Sequence, residues 1–392
     1  MIDFFENPYY RLNKILLSII GLWPFQSATE ARFTFSIMII FLLTQLYLQV
    51  TSMINYWPDM DMFVESSSPL TIALLCLAKA INYMINAKKI KNILIRMQSH
   101  WDILSGTSEA EILKNYANNS RNMTLLYTRF LYTGLSIFMA IPTLQSIVEY
   151  VLPGHNQTYP LLFPVDNIIN VEKYHTIILV HSYFSTFYFI TILIAVDTMF
   201  ISHVTHGCAI FTVLGNQLRN LSPESIQDVE EFRFDSDDRV HINIMRYIQN
   251  HVEALHFAEL LESAYSTTFL FQMGINILSL SVTGVQIVMN LDNPDQVMRC
   301  LSSGLNQILH LYMNSLPCQR LMDHSTSIRE AIYSSKWYNL SLKSRPLLNV
   351  ILMRAYIPSQ ITAGKLYVMS MENFGAVLKT SMSYFTVLSS VR

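Results

Sequence analysis

Charge is what this sequence has least of. Only 14% of its 392 residues are Asp, Glu, Lys or Arg, against about 25% in soluble domains. The net charge is -2, so the basic footprint of a DNA or RNA binder is missing and no nucleic-acid partner is expected. Catalytic motifs are missing as well: no Walker loop, no Gly-x-Ser-x-Gly, no His-Glu-x-x-His and no Cys-x-x-Cys. No enzyme chemistry is therefore expected, and no cofactor. Only four cysteines occur, Cys76, Cys208, Cys300 and Cys318. All lie in or beside apolar runs, where buried free thiols are the plain expectation and an outer-loop disulfide is not. The eleven histidines are scattered. His203 and His206 stand at i, i+3 without a carboxylate or cysteine at ligand spacing, which predicts packing or headgroup contact rather than metal. The run Ile15–Trp23 follows Arg11 and Lys14, but it is too short for a span, stops at Pro24 and lacks a cleavage site. Its length suits a short interfacial or re-entrant helix.

What the chain has in abundance is uncharged sequence. A spanning helix needs about 20 mostly apolar residues. Residues 33–58, 130–148, 174–196, 263–291 and 300–319 carry no charge at all. Residues 66–87 are interrupted only by Lys79, and 368–391 only by Glu372 and Lys379. That predicts an all-α membrane protein with seven transmembrane helices. Lysine and arginine accumulate on the cytoplasmic side of membranes. Alternate loops divide them twenty-one to three, with Lys173, Arg299 and Arg392 as the minority. The amino terminus is then cytoplasmic and the carboxyl terminus extracellular, which opposes a G-protein-coupled receptor. The organisation follows: a cytoplasmic segment 1–32 and helices one to four over 33–205. A cytoplasmic helical loop spans 206–262 and helices five and six 263–322. A cytoplasmic region covers 323–367 and the last helix 368–392. Helical spacing of Ile244, Ile248, Val252, Leu255 and Leu261 predicts that the spans continue as helices into the cytoplasm and pack there. The sequon at Asn156 falls in the predicted second outer loop, where it is open to glycosylation.

Polarity inside the spans points to function. Lys79 and Asp197 are the most deeply placed charges outside the last helix, and such residues usually pair or face water. At about 100° per residue, Glu372, Ala376, Thr380, Ser383, Val387, Ser390 and Val391 share one face of the last helix. Bulkier Met371, Phe374, Leu378, Met382 and Phe385 take the other. Such a helix suits the wall of a multi-subunit pore with Val387 as a hydrophobic gate. It equally suits a helix packing its small face on a neighbour, and periodicity leaves both open. The outer halves of helices two, three, four and six carry Leu74, Leu77, Phe138, Ile141, Phe184, Tyr188, Met298 and Leu301, with Gln145 and His181 as polar exceptions. A cavity lined by them would hold a small apolar ligand through burial, oriented by one or two polar groups. Ordinary interhelical packing and lipid contact would use the same residues.

The carboxyl end carries a resemblance. Ser381 to Leu388, SMSYFTVL, resembles the terminal signature of insect odorant receptors, supported by Ala363 to Leu366, Met371 to Phe374, Trp337 and Arg354. The Thr-Tyr and Gln-Phe signature of the related gustatory receptors is missing. The resemblance implies a tuning subunit of an odorant-gated, non-selective cation channel in the plasma membrane of an olfactory neuron dendrite. It would bind a small volatile odorant and work as a heterotetramer with the odorant-receptor co-receptor. Each subunit would lend its last helix to one pore, with Val387 as gate and Ser390 and Val391 at the outer mouth. The inner helix extensions, including 340–366, would form a cytoplasmic anchor where subunits meet. A gustatory-type channel and a multi-pass transporter are the alternatives.

Overall fold

The computed structural model describes residues 4–151, 161–163, 171–221, 236–292 and 294–390. Ten α-helices are found among them: α1 (Arg11–Ile19), α2 (Ala28–Asn55), α3 (Met60–Ile85), α4 (Ala87–Leu104), α5 (Ala110–Val151), α6 (Val171–Arg219), α7 (Ser236–Met289), α8 (Pro294–Tyr333), α9 (Arg345–Ala355) and α10 (Met371–Ser390). All seven apolar runs fall in or overlap helices. Four helices among the described residues are individually long and apolar enough to cross a membrane, over Ala28–Asn55, Phe63–Ile85, Lys173–Arg219 and Val240–Met289.

Local chemistry explains the boundaries. Ser27 and Glu30 have the spacing of a capping box, and the Ser27 hydroxyl accepts from the Glu30 N–H at 3.4 Å to start α2. Pro346 in the first turn of α9 occupies a position where its missing N–H costs little. The helices outrun the apolar segments, as the periodicity of 244–262 predicts: 206–219 complete α6 and 236–262 open α7. These extensions are packed in: Phe211 and Leu214 of the first and Ile244, Phe257 and Leu261 of the second are buried. The short amino-terminal helix is packed in too. Leu16 and Leu17 of α1 are buried, α1 contacts α6, and Trp101 of α4 donates its indole N–H to the Tyr10 hydroxyl at 3.0 Å.

One element among the described residues is not helical. Strands β1 (Thr362–Ala363) and β2 (Tyr367–Val368) form an antiparallel hairpin just before α10. Gly364 turns it with φ +62°, and a Cβ there would lie 2.7 Å from Leu270 of α7, so both conformation and space require glycine. The hairpin is tied to α7. The Glu262 carboxylate accepts from the Thr362 N–H at 2.6 Å and from the Thr362 hydroxyl, and the Gly364 N–H reaches the Ser266 carbonyl at 3.0 Å.

Candidate functional site

Helices α3, α5, α6, α7 and α8 enclose a cavity of about 890 Å³, at the upper end of small-molecule pockets. Its walls differ in character. Ile72 and Leu75 of α3, Leu131 and Leu135 of α5, and Phe189 and Leu193 of α6 make an apolar side. Asn276 and Ser279 of α7, with Ser303, Asn306, Gln307 and His310 of α8, make a polar one.

A buried charge cluster closes one end. Lys79 and Asp197 form an ion pair through Oδ1, each side chain only 1% exposed. Two cavity-lining residues reach the other carboxylate oxygen: Tyr127 donates its hydroxyl at 3.3 Å, and His310 Nε2 lies 3.0 Å away. The two suspect charges are thus each other's partners, and the cavity touches them through Tyr127 and His310.

Of the expected ligand residues, Phe138 and Met298 line the cavity. Arg299, one position on, stands over the Phe138 ring at 5.6 Å. His181, Phe184 and Tyr188 lie elsewhere. All three meet Phe41 of α2, at ring separations of 5.4, 5.7 and 5.7 Å, and His181 also hydrogen-bonds Thr44 at 2.8 Å. Thr186, Phe189, Ile190 and Leu193 are the residues that α6 turns to the cavity. Leu74 and Leu301 are exposed and Leu77 is half-buried, none on the lining. Ile141 and Gln145 belong to α5, but their side chains lie outside the described residues, as do Asn156 and Val391.

Sequence reasoning passed over Tyr127, Asn276, Gln307 and His310, although a signal exists. Gln272, Asn276, Ser279, Thr283 and Gln286 repeat at intervals of four and three within an uncharged run, and Ser303, Gln307, His310 and Asn314 do so on α8. That spacing keeps polar groups on one face of each helix. The two rows meet where Gln307 Nε2 donates to Thr283 Oγ1 at 3.2 Å.

The last helix presents its two faces differently. Val377 and Ser381 are buried and Phe374 and Leu378 pack beside them, whereas Glu372, Ala376, Thr380, Ser383, Val387 and Ser390 are all exposed. Among the described residues the polar stripe is therefore left exposed, as is Met382 of the bulkier face. His203 and His206 are occupied by a hydrogen bond to Tyr265 at 2.9 Å and one to His100 at 3.1 Å. Cys76, Cys208 and Cys318 are buried free thiols, and Cys300 is half-buried.

Residues 59–382 match the model of the 7tm odorant receptor family. The chain belongs to the insect odorant receptors. This odorant receptor is 22% identical to odorant receptor 13a of Drosophila melanogaster over 88% of its length and 83% of the relative's. It is also 22% identical to the odorant receptor co-receptor of Ooceraea biroi, over 38% of this chain and 31% of that one. Its fold is similar to that of olfactory receptor OR5 from Machilis hrabei in complex with eugenol. The TM-score is 0.77 at 16% identity, covering 97% of both chains. The odorant receptor is thus a mostly helical, multi-pass membrane protein of a receptor family, not of an enzyme family.

Proposed function

We propose that this odorant receptor is the tuning subunit of an odorant-gated, non-selective cation channel in the plasma membrane of olfactory neurons. Seven helices cross the membrane, with the amino terminus cytoplasmic and the carboxyl terminus outside. It assembles as a heterotetramer with co-receptor subunits, held together in the cytoplasm by the inner helix extensions. A volatile ligand enters the cavity bounded by Phe138, Phe189 and Met298, and its burial supplies most of the binding energy. It opens the channel by binding the open arrangement more tightly than the closed one. The observation that carries this reading is the exposed polar stripe of α10, which suits a helix that meets water and other subunits at a central axis.

The test is whole-cell current during a volatile panel, in cells expressing the chain alone and with an insect co-receptor. Cation current only on co-expression supports a tuning subunit. Ligand uptake or turnover without the co-receptor would favour a transporter instead. Within the channel, Val387, 57% exposed in the single chain, narrows the pore and gates it by excluding water. Val387→Ser is expected to raise odorant-free current severalfold. Unchanged current, with surface expression verified, would remove Val387 from the gate.

A further inference from the structure

Two amide side chains of the odorant cavity carry a hydrogen-bonding atom without a partner among the described residues, and the two atoms differ in kind. Asn276 is only 2% exposed, and its Nδ2 has no partner among the described residues. Gln307 spends its Nε2 on Thr283 Oγ1 at 3.2 Å and Ser303 Oγ at 3.3 Å, leaving Oε1 buried and unpaired. Both residues line the cavity on its polar side. Three other polar groups there have partners. Ser279 shares a hydrogen bond with Thr71 at 3.0 Å, Thr186 donates to the Ser182 carbonyl at 2.7 Å, and His310 faces Asp197. Asn276 Nδ2 and Gln307 Oε1 thus set a buried donor and a buried acceptor, neither partnered among the described residues, opposite an apolar wall.

We propose that the cavity selects neutral volatile alcohols: an apolar body against α3, α5 and α6, and a hydroxyl on the Asn276 and Gln307 side. The proposal rests on the reading of this cavity as the odorant site. A hydroxyl both accepts and donates, so it can satisfy the amide N–H and the amide oxygen alike. An ether or ketone can serve Asn276 but leaves Gln307 Oε1 bare, and a hydrocarbon leaves both bare. A buried polar group without a partner is costly, which is how a polar site rejects an analogue lacking the matching group. Ionised acids and amines would bring an uncompensated charge into an uncharged wall. Among the described residues Arg299 is the one lysine or arginine on the lining. It sits eight residues before Gln307, about 12 Å along the helix, and is already stacked on Phe138.

The test compares alkanes, primary alcohols, their methyl ethers and carboxylates of matched chain length, as currents in cells co-expressing the co-receptor. An alcohol is expected to be about tenfold more potent than its ether. The near-isosteric Asn276→Leu and Gln307→Met should each pull that ratio toward one. The ratio is read within one variant, so altered expression does not imitate the result. Equal potency of alcohol and ether in the unmodified receptor, or a preference that survives both substitutions, overturns the proposal. So does silence toward every alcohol at verified surface expression, or a carboxylate preference that Arg299→Gln removes. The underlying cavity reading has its own control on the opposite wall. If Phe189→Ala and Phe138→Ala leave every odorant response unchanged, the cavity is not the odorant site at all. If they alter responses while alcohol preference is absent, only the alcohol class is lost.

Discussion

Replacing Asp197 with leucine is expected to cost about 3–5 kcal/mol and to remove most of the receptor from the cell surface. The magnitude follows from burial. Lys79 and Asp197 are each 1% exposed, so neither charge can turn to water when its partner is gone. The stranded Lys79 ammonium would sit among apolar groups in a span, with Tyr127 and His310 also deprived of their shared acceptor. Lys79→Met should be similarly damaging, since it leaves the carboxylate facing only Tyr127 and His310. The double variant Lys79→Met with Asp197→Leu should recover much of the loss, because a buried ion pair is often replaceable by apolar side chains of similar volume. Recovery should be partial, and the shortfall measures what the Tyr127 and His310 contacts contribute. Surface biotinylation, together with thermal unfolding of the detergent-solubilised protein, reads all three variants. Single variants as stable as the unmodified receptor would show that this cluster does not hold the bundle together.

The second large effect is expected where α7 meets α10. A Cβ placed on Gly284 would lie 2.8 Å from Cδ2 of the Phe385 ring, so no larger residue fits without moving that ring or α10 itself. About one turn earlier, the Ser281 hydroxyl donates to the Ser381 carbonyl at 3.0 Å, which pins the same two helices together. Small residues at such crossings let backbones approach closely. Gly284→Val is therefore expected to cost about 1–3 kcal/mol through overpacking and to displace the half of α10 that carries Val387. The readout is a raised odorant-free current together with a reduced maximal odorant-evoked one. Adding Phe385→Ala, which frees the space the new side chain needs, should restore both toward normal. A Gly284→Val receptor with ordinary basal and evoked currents would mean that this contact does not position α10.

Much of this architecture was legible because apolar runs and their flanking charges are properties of sequence alone. Lys79 and Asp197 could be singled out for the same reason: a charge within a span needs a partner or water, and each found the other. The two-faced last helix was readable from Glu372, Thr380, Ser383 and Val387, since periodicity is preserved when the helix forms. What periodicity left open, whether that face packs against a neighbour, is answered within the chain by its exposure. The cavity face of α6 was less legible. Around His181, Phe184 and Tyr188 aromatic side chains stand on several sides of the helix, interleaved with Ser182, Ser185 and Thr186, so no periodic signal marks which neighbour each face meets. Proximity to Phe41 decides it, and that is a tertiary fact. The polar rows on α7 and α8 were present in the sequence at the right spacing. Their importance emerges only once the two rows are seen to face one cavity. The hairpin before α10 gave no periodic cue, since each of its strands is two residues long.

That hairpin bears on how force travels through the molecule. With Thr362 and Gly364 fastened to Glu262 and Ser266, the base of α10 cannot slide past α7 without breaking several hydrogen bonds at once. At the same base, Met371 donates its N–H to Gln319 Oε1 of α8 at 3.3 Å. The last helix is thus held to α7 and α8 at its first turn and to α7 again at Ser381 and Phe385, while its opposite face stays exposed. Asn276 of the cavity wall and the residues that hold the hairpin, Glu262 and Ser266, belong to the same helix, α7. A rotation of α7 would then be carried into α10 along its length, through the hairpin at the base and through Ser281 and Gly284 farther up.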